Sequence, residues 1–224
     1  LGRLIDRNYL NAIGWRGIRL RKLYLETLLH RAMADLRAAG QPVHIVDIAA
    51  GHGRYVLDAV RARTDIPATG LLRDFSEHNV AAGRQLIAEY GLAARFAFER
   101  GDAFDPTSFA TLSRTATIGI VSGLYELFPE NAPVRVSLAG LATAVAPGGY
   151  LLYTGQPWHP QLEFIARTLT SHRGGGAWVM RRRTQQEMDQ LVAGAGFEKL
   201  AQETDPWGIF TVSLAQHRVE AAHG

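Results

Sequence analysis

The sequence predicts an α/β protein: a doubly wound, mainly parallel sheet with helices on both faces. Three observations carry this. Short β-branched apolar runs alternate with longer amphipathic stretches, a pattern that implies right-handed crossovers between parallel strands. Gly, Pro and capping residues punctuate the changes of period. The first apolar run ends in a small-residue loop, "VDIAAGHGRY", Val46 to Tyr55, where such sheets hold a ligand.

The elements follow in order. Residues 16–39 read as a helix, because Leu20, Leu23, Leu25, Leu28, Leu29 and Met33 recur near helical spacing, and Gly40-Gln41-Pro42 stops it. "VHIVDIA" is the first strand, apolar enough to be buried on both faces. Residues 54–63 are helical, "ATGLLRD" is a second strand, and "SEHNVAAGRQLIAEYGL" a second sheet-covering helix. Ser76 caps its start and Gly91 stops it. "ARFAFERGD" and "TIGIVSGL" are the third and fourth strands, and "NAPVRVSLAGLATAVA" is a helix. "GGYLLYTG" is the fifth strand, after a turn at Pro147-Gly148-Gly149. In "RTQQEMDQLVAGAGF", Thr184 stands three residues before Glu187, a capping-box spacing. "EKLAQET" and "GIFTVSLAQ" close the chain as two strands joined through Asp205-Pro206-Trp207-Gly208. That link suits a hairpin, which makes the final strand antiparallel to its neighbour.

Composition bounds the function. A chain of 224 residues, 47% hydrophobic, supports one sizeable core. With no cysteine there is no disulfide framework, no thiol chemistry and no cysteine zinc site. No run approaches the ~18 apolar residues of a membrane span, and no signal-peptide pattern opens the chain, so a cytoplasmic location is expected. The opening residue is Leu1, not Met, and is read as a boundary within a longer polypeptide. The eight histidines have no H-x-x-x-H spacing, and no metal site is expected. No Gly-x-Ser-x-Gly elbow is present, so the chain is not itself an α/β-hydrolase.

Net charge is only +3, but it is uneven. Arg3, Arg7, Arg16, Arg19, Arg21 and Lys22 crowd the N-terminal stretch, and Arg181-Arg182-Arg183 form a second knot. Each reads either as solvated surface or as a site for an anionic group. Without interleaved aromatic platforms they do not read as a nucleic-acid surface.

The small-residue loop decides the ligand class. A dinucleotide loop needs a third glycine where this chain has Val56, and a phosphate-binding P-loop needs Gly-Lys-Ser/Thr, which is absent. What remains is D-x-A-A-G-x-G, by itself also compatible with a plain tight turn. Two later acids add to it. Asp74 follows the second strand, where a carboxylate can accept both hydroxyls of a ribose. Asp102 follows the third, where it can accept from an adenine amino group while the N–H of Ala103 or Phe104 serves a ring nitrogen.

These pieces, with "IVSGLYELFPE", "APGGYLLYTGQPW" and "RRRTQQEMDQLVAGAGFE", resemble the class I S-adenosylmethionine-dependent methyltransferases over roughly residues 40–215. The resemblance implies a Rossmann-like sheet of seven strands with the last antiparallel. It implies an N-terminal helical lid over residues 1–40 and a cofactor-binding domain over 41–224. More narrowly, "LGRLIDRNYLNAIGWRGIRLRK" with "SGLYELFPEN" is similar to a bacterial methyltransferase group in which the domain sometimes follows an α/β-hydrolase domain on one polypeptide.

The resemblance implies S-adenosylmethionine as methyl donor and S-adenosylhomocysteine as product. Its contacts would be Asp47, Ala49, Gly51, Gly53, Asp74, Phe75, Asp102, Ala103, Ser122 and Gly123. Ala49 departs from the family, which has glycine there. Methyl transfer would be an in-line displacement to a small-molecule or lipid-like acceptor, with catalysis largely by alignment. Tyr125 and His159 are the candidate catalytic residues, Tyr125 in the loop after the fourth strand and His159 as a proton acceptor by type. Glu126, Gln156 and Trp158 are candidate substrate contacts. Tyr9, Trp15, Arg16 and Arg19 are candidate lid contacts. His52 is expected to serve through its backbone. The rival readings are a non-catalytic module of the same fold, favoured by Ala49, and an NAD(P)-dependent oxidoreductase.

Overall fold

The computed structural model describes residues 9–112, 116–171 and 175–219. Its elements are α1 (Ile13–Ala38), β1 (Val43–Asp47), α2 (Arg54–Ala62), β2 (Ala68–Asp74), α3 (Glu77–Glu89) and β3 (Phe96–Arg100). There follow α4 (Pro106–Phe109), β4 (Ala116–Val121), α5 (Asn131–Ala144), β5 (Val145–Gly155), α6 (Leu162–Thr168), α7 (Gln185–Gly194), β6 (Phe197–Thr204) and β7 (Thr211–His217). The seven strands form one sheet in the order β3-β2-β1-β4-β5-β7-β6. β1 is parallel to β2 and β4, while β7 is antiparallel to both β5 and β6. The doubly wound sheet and its antiparallel last strand are therefore as expected, and the switch in strand order falls beside β1.

Two-residue periodicity sorts the core into two layers. Ile45, Ile118, Ile120 and Leu152 face α1, α2 and α3. Val46, Val121, Leu151 and Tyr153 face α5 and α7. α1 contributes the stripe Leu25, Leu28, Leu29, Ala32, Met33 and Leu36, all buried and spaced for one helical face.

Local chemistry sets the ends of the elements. Ser76 Oγ accepts from Asn79 N–H at the start of α3, and Thr184 Oγ1 accepts from Glu187 N–H at the start of α7. Glu187 does not close a capping box, because its carboxylate instead takes Asn131 Nδ2 at 2.8 Å and the Arg181 guanidinium at 2.6 Å. α1 begins three residues earlier than expected, before Gly14 and Gly17. Pro147-Gly148-Gly149 lies inside β5 as an irregularity: the pairing with β4 shifts register between Ala116 and Ile118.

Candidate active site

The carboxyl ends of β1, β2, β3 and β4 open into a cleft of about 1260 Å³. Of the ten residues expected at the cofactor, eight line it: Ala49, Gly51, Asp74, Phe75, Asp102, Ala103, Ser122 and Gly123. Gly51 has φ +59°, and a Cβ added there would meet nothing within 4 Å, so its backbone lies bare to the cleft. Asp74 fixes the loop from β2. Its Oδ2 accepts Gly51 N–H at 2.9 Å, and its Oδ1 accepts Ser76 N–H at 2.9 Å and Asn79 Nδ2 at 3.0 Å. Ala49, in the family's glycine position, donates its N–H to Asp47 Oδ1 at 3.2 Å.

The other two expected contacts stand behind the wall. Gly53 has φ +72°, and a Cβ there would lie 2.4 Å from Leu72 Cδ1, so this glycine lets α2 approach β2. Asp47 is fully buried; besides the Ala49 N–H it accepts the Tyr55 hydroxyl on Oδ2. Burial pushes its carboxyl up to about 7, against the opposing bonds from Tyr55 and Ala49. Its folded value thus lies above the unfolded one. The stabilisation is full below pH ~4 and is lost as pH rises through about 7, at up to roughly 1.4 kcal/mol per pH unit. Asp47→Asn imitates the protonated form, so the stability difference between wild type and variant should swing toward the variant between pH 4.5 and 8. Denaturant unfolding at several pH values measures this; a constant difference would reject it.

Two rings to which the sequence reading gave no role, those of Phe104 and Phe128, complete the cleft beside Phe75. Phe104 and Phe128 pack with centroids 4.2 Å apart, and both line it. Phe75, 63% exposed, lies under the Arg100 guanidinium at 5.1 Å. Asp102 Oδ1 accepts Phe104 N–H at 2.8 Å, so that of the two N–H groups expected to serve a ring nitrogen the one on Phe104 is already taken. The signal for Phe104 was its place two residues after Asp102; Phe128 gave no sequence signal beyond lying in the loop after β4.

Past Gly123 lies a second cavity of about 160 Å³, bounded by α1, the loop after β4, residues 156–169, Trp178, Met180 and Phe210. Ile18, Arg21, Gly123 and Leu127 belong to both walls. Tyr9 and Trp15, rings 5.6 Å apart edge to face, line it, as do Glu126, Gln156 and His159. Trp158 points outward and is 44% exposed. Arg16 lies over the Trp207 ring at 4.8 Å, and Arg19 Nη1 donates to Leu10 O at 2.9 Å, so neither reaches the cavity wall. Arg21 does. It pairs with Glu126 Oε1 at 3.4 Å and stacks on Phe210 at 5.0 Å. Arg3 and Arg7 lie outside the described residues. His52 is exposed, edge-on to His78 at 6.0 Å.

The structure places the two expected catalytic side chains differently. Tyr125 is 2% exposed; its hydroxyl bonds Ser137 Oγ at 2.9 Å, and burial raises its phenol well above the ordinary value. It lines neither cavity and packs the loop from beneath. His159 does face the cavity, but its Nδ1 accepts Gln161 N–H at 3.1 Å, so in the neutral ring Nε2 holds the hydrogen. Burial lowers its pKa, with Asp205 opposing, and favours that neutral ring. His159 is therefore a donor, not the proton acceptor expected from its type.

The basic knot is also resolved. Arg183 is 4% exposed and gives its guanidinium to the carbonyls of Tyr125, Phe128 and Glu130 at 2.6, 2.7 and 3.0 Å, and to Asn131 Oδ1 at 2.8 Å. Arg181 N–H donates to Glu126 O at 2.7 Å. These two arginines tie down the loop after β4.

Residues 1–217 match a family described as "Putative methyltransferase". The chain belongs to this family. It is 60% identical over 217 residues to the uncharacterized protein YnbC of Escherichia coli K12, a match covering 97% of this chain but 37% of that protein. The chain thus spans little more than a third of this curated relative. Among solved structures, a possible exported protein from Bordetella parapertussis superposes with a TM-score of 0.75 at 19% identity, covering 92% of this chain and 70% of that one. A SAM-dependent methyltransferase from Methanosarcina mazei gives 0.64 at 16% identity, covering 80% and 94%. An O-methyltransferase family protein from Burkholderia thailandensis gives 0.66 at 17%, covering 96% and 63%. These likenesses establish the methyltransferase-type fold. No described helix is long and apolar enough to cross a membrane.

Proposed function

We propose that this chain takes a methyl group from S-adenosylmethionine and passes it to a small-molecule or lipid-like acceptor. The observation that carries this is the pair of cavities meeting at Gly123: a large cleft edged by glycine loop and carboxylates, and a smaller apolar one beside it. S-adenosylmethionine would supply an electrophilic methyl on a sulfonium. The residues suit it. A carboxylate offers about four acceptor positions, and Asp74 spends three on its own chain, so it would take one ribose hydroxyl and not two. Asp102 would accept from the adenine amino group, and the rings of Phe75, Phe104 and Phe128 would wall the base. The N-terminal half of α1, through Ile18, Arg21 and Lys22, would roof the cleft as the lid. A further covalently attached domain belongs to this reading, since the YnbC relative extends well beyond the matched stretch; its α/β-hydrolase class rests on the sequence resemblance alone.

The test is calorimetric titration with S-adenosylmethionine and S-adenosylhomocysteine, with NADH as control. Both adenosyl compounds should bind and NADH should not. A folded chain that binds neither adenosyl compound would favour the non-catalytic module instead.

A further inference from the structure

We infer that the smaller cavity binds an uncharged, largely apolar alcohol or phenol, held through its hydroxyl by Gln156; this rests on the methyl-transfer reading above. Size is the first ground. A cavity of about 160 Å³ is close to the ~150 Å³ at which an engineered apolar cavity in another protein admits benzene, so one substituted ring or a branched chain of similar bulk fits. Its wall is mostly carbon, from residues such as Trp15, Ile18, Leu127, Ile165 and Phe210.

Charge is the second ground. Among the described residues on this wall, the charged side chains are Arg21 and Glu126, and these pair with each other. Burial lowers the pKa of His159 and so favours its neutral ring. An ionic ligand would be stripped of water with no spare counter-charge to receive it, so a neutral one is favoured.

Gln156 is the third and most specific ground. It is 96% buried on this wall, and its Nε2 has no hydrogen-bond acceptor. A buried amide donor without a partner is costly, so the site calls for an oxygen that the protein itself does not supply. A hydroxyl satisfies the carboxamide whichever way its oxygen and nitrogen are turned, because it both donates and accepts. A hydroxyl is also a methyl acceptor.

The transfer then balances. The hydroxyl oxygen forms the new C–O bond as the C–S bond breaks, and the bonding pair goes to sulfur, turning sulfonium into thioether. The hydroxyl proton goes to the Glu126 carboxylate, since His159 Nε2 already holds a hydrogen, and from Glu126 to solvent.

The experiment is NMR titration of the full chain with 4-methylphenol, toluene and 4-methylbenzoate, with S-adenosylhomocysteine titrated into parallel samples. The phenol should bind at least about tenfold tighter than either analogue, because a site built around a hydroxyl penalises its loss. Gln156→Leu should bring phenol and toluene to within about threefold of each other. Its unfolding temperature should be no lower than wild type, since an unpaired buried donor is removed, and its affinity for S-adenosylhomocysteine should match wild type. Equal binding of phenol and toluene by wild type, tightest binding of the benzoate, or a preference that survives Gln156→Leu would overturn the inference. Any of these alongside normal S-adenosylhomocysteine binding leaves the methyl-transfer reading standing. Phenol selectivity without S-adenosylhomocysteine binding would remove the methyl-transfer step and keep only the alcohol site.

Discussion

Asp74→Ala should lower the affinity for S-adenosylhomocysteine by two orders of magnitude or more. The lost ribose bond alone accounts for roughly 1.5–3 kcal/mol, a factor of about 10 to 150. The rest comes from the loop. Without the carboxylate, Gly51 N–H loses the acceptor that fixes the bare turn at φ +59°, and Ser76 N–H and Asn79 Nδ2 lose theirs. The cofactor would then have to order the loop as it binds. Asp74→Asn separates the two effects. Its amide oxygen can still serve Ser76 and Asn79, but its NH2 faces Gly51 N–H and accepts nothing. The Asn variant should therefore melt nearer to wild type than the Ala variant while binding almost as weakly. Calorimetry and thermal unfolding on both variants check this. Wild-type affinity in either would end the ribose role of Asp74.

The strands and the cleft were legible because both depend on local pattern. "ATGLLRD" is β2 from first residue to last, and Ser76, Gly91 and Thr184 mark helix ends by chemistry within four residues of chain. The loop and the strand-end acids follow from the topology, since parallel strands must all end on one edge. What the sequence hid depends on partners far along the chain. By propensity Gly14 and Gly17 disfavour a helix, at about 1 kcal/mol each relative to alanine. They are inside α1 because a Cβ would stand 2.8 Å from the His159 ring at Gly14 and 2.8 Å from the Phe210 ring at Gly17. The glycines are there for close approach, and the rings that need it come 145 and 193 residues later. Asp47 was misplaced for a related reason: position at a strand end fixes the edge of the sheet, but only the side-chain bonds to Ala49 and Tyr55 reveal that it braces the loop from behind. The smaller cavity was the least legible part. Much of its wall comes from residues 156–169 with Trp178 and Met180, a stretch in which α6 has no buried residue and so no hydrophobic stripe to read.

Arg183→Met should destabilise the fold and loosen both cavities at once. The substitution keeps an unbranched apolar stem but removes donors from three carbonyls and the Asn131 side chain, at a site only 4% exposed. The Tyr125 carbonyl would be stranded in a buried place and those of Phe128 and Glu130 in partly buried ones, and charge-assisted bonds of this kind carry roughly 1.5–3 kcal/mol each before relaxation. With partial relaxation of the loop, a net loss of about 3 kcal/mol is expected, which for a chain of this size lowers the melting temperature by roughly 6–12 °C. Arg183→Lys should recover only part of this, because one ammonium cannot reach acceptors spread around a planar fork. The loop it releases carries Gly123 and Leu127 of both cavities, Glu126 of the smaller, and Leu124 and Phe128 of the cleft. Binding of S-adenosylhomocysteine should therefore weaken in both variants at temperatures where they stay folded, and more in Met than in Lys. A melting temperature within about 2 °C of wild type for Arg183→Met would mean that water or neighbouring donors replace the guanidinium, and that the loop is held by Arg181 and its own packing.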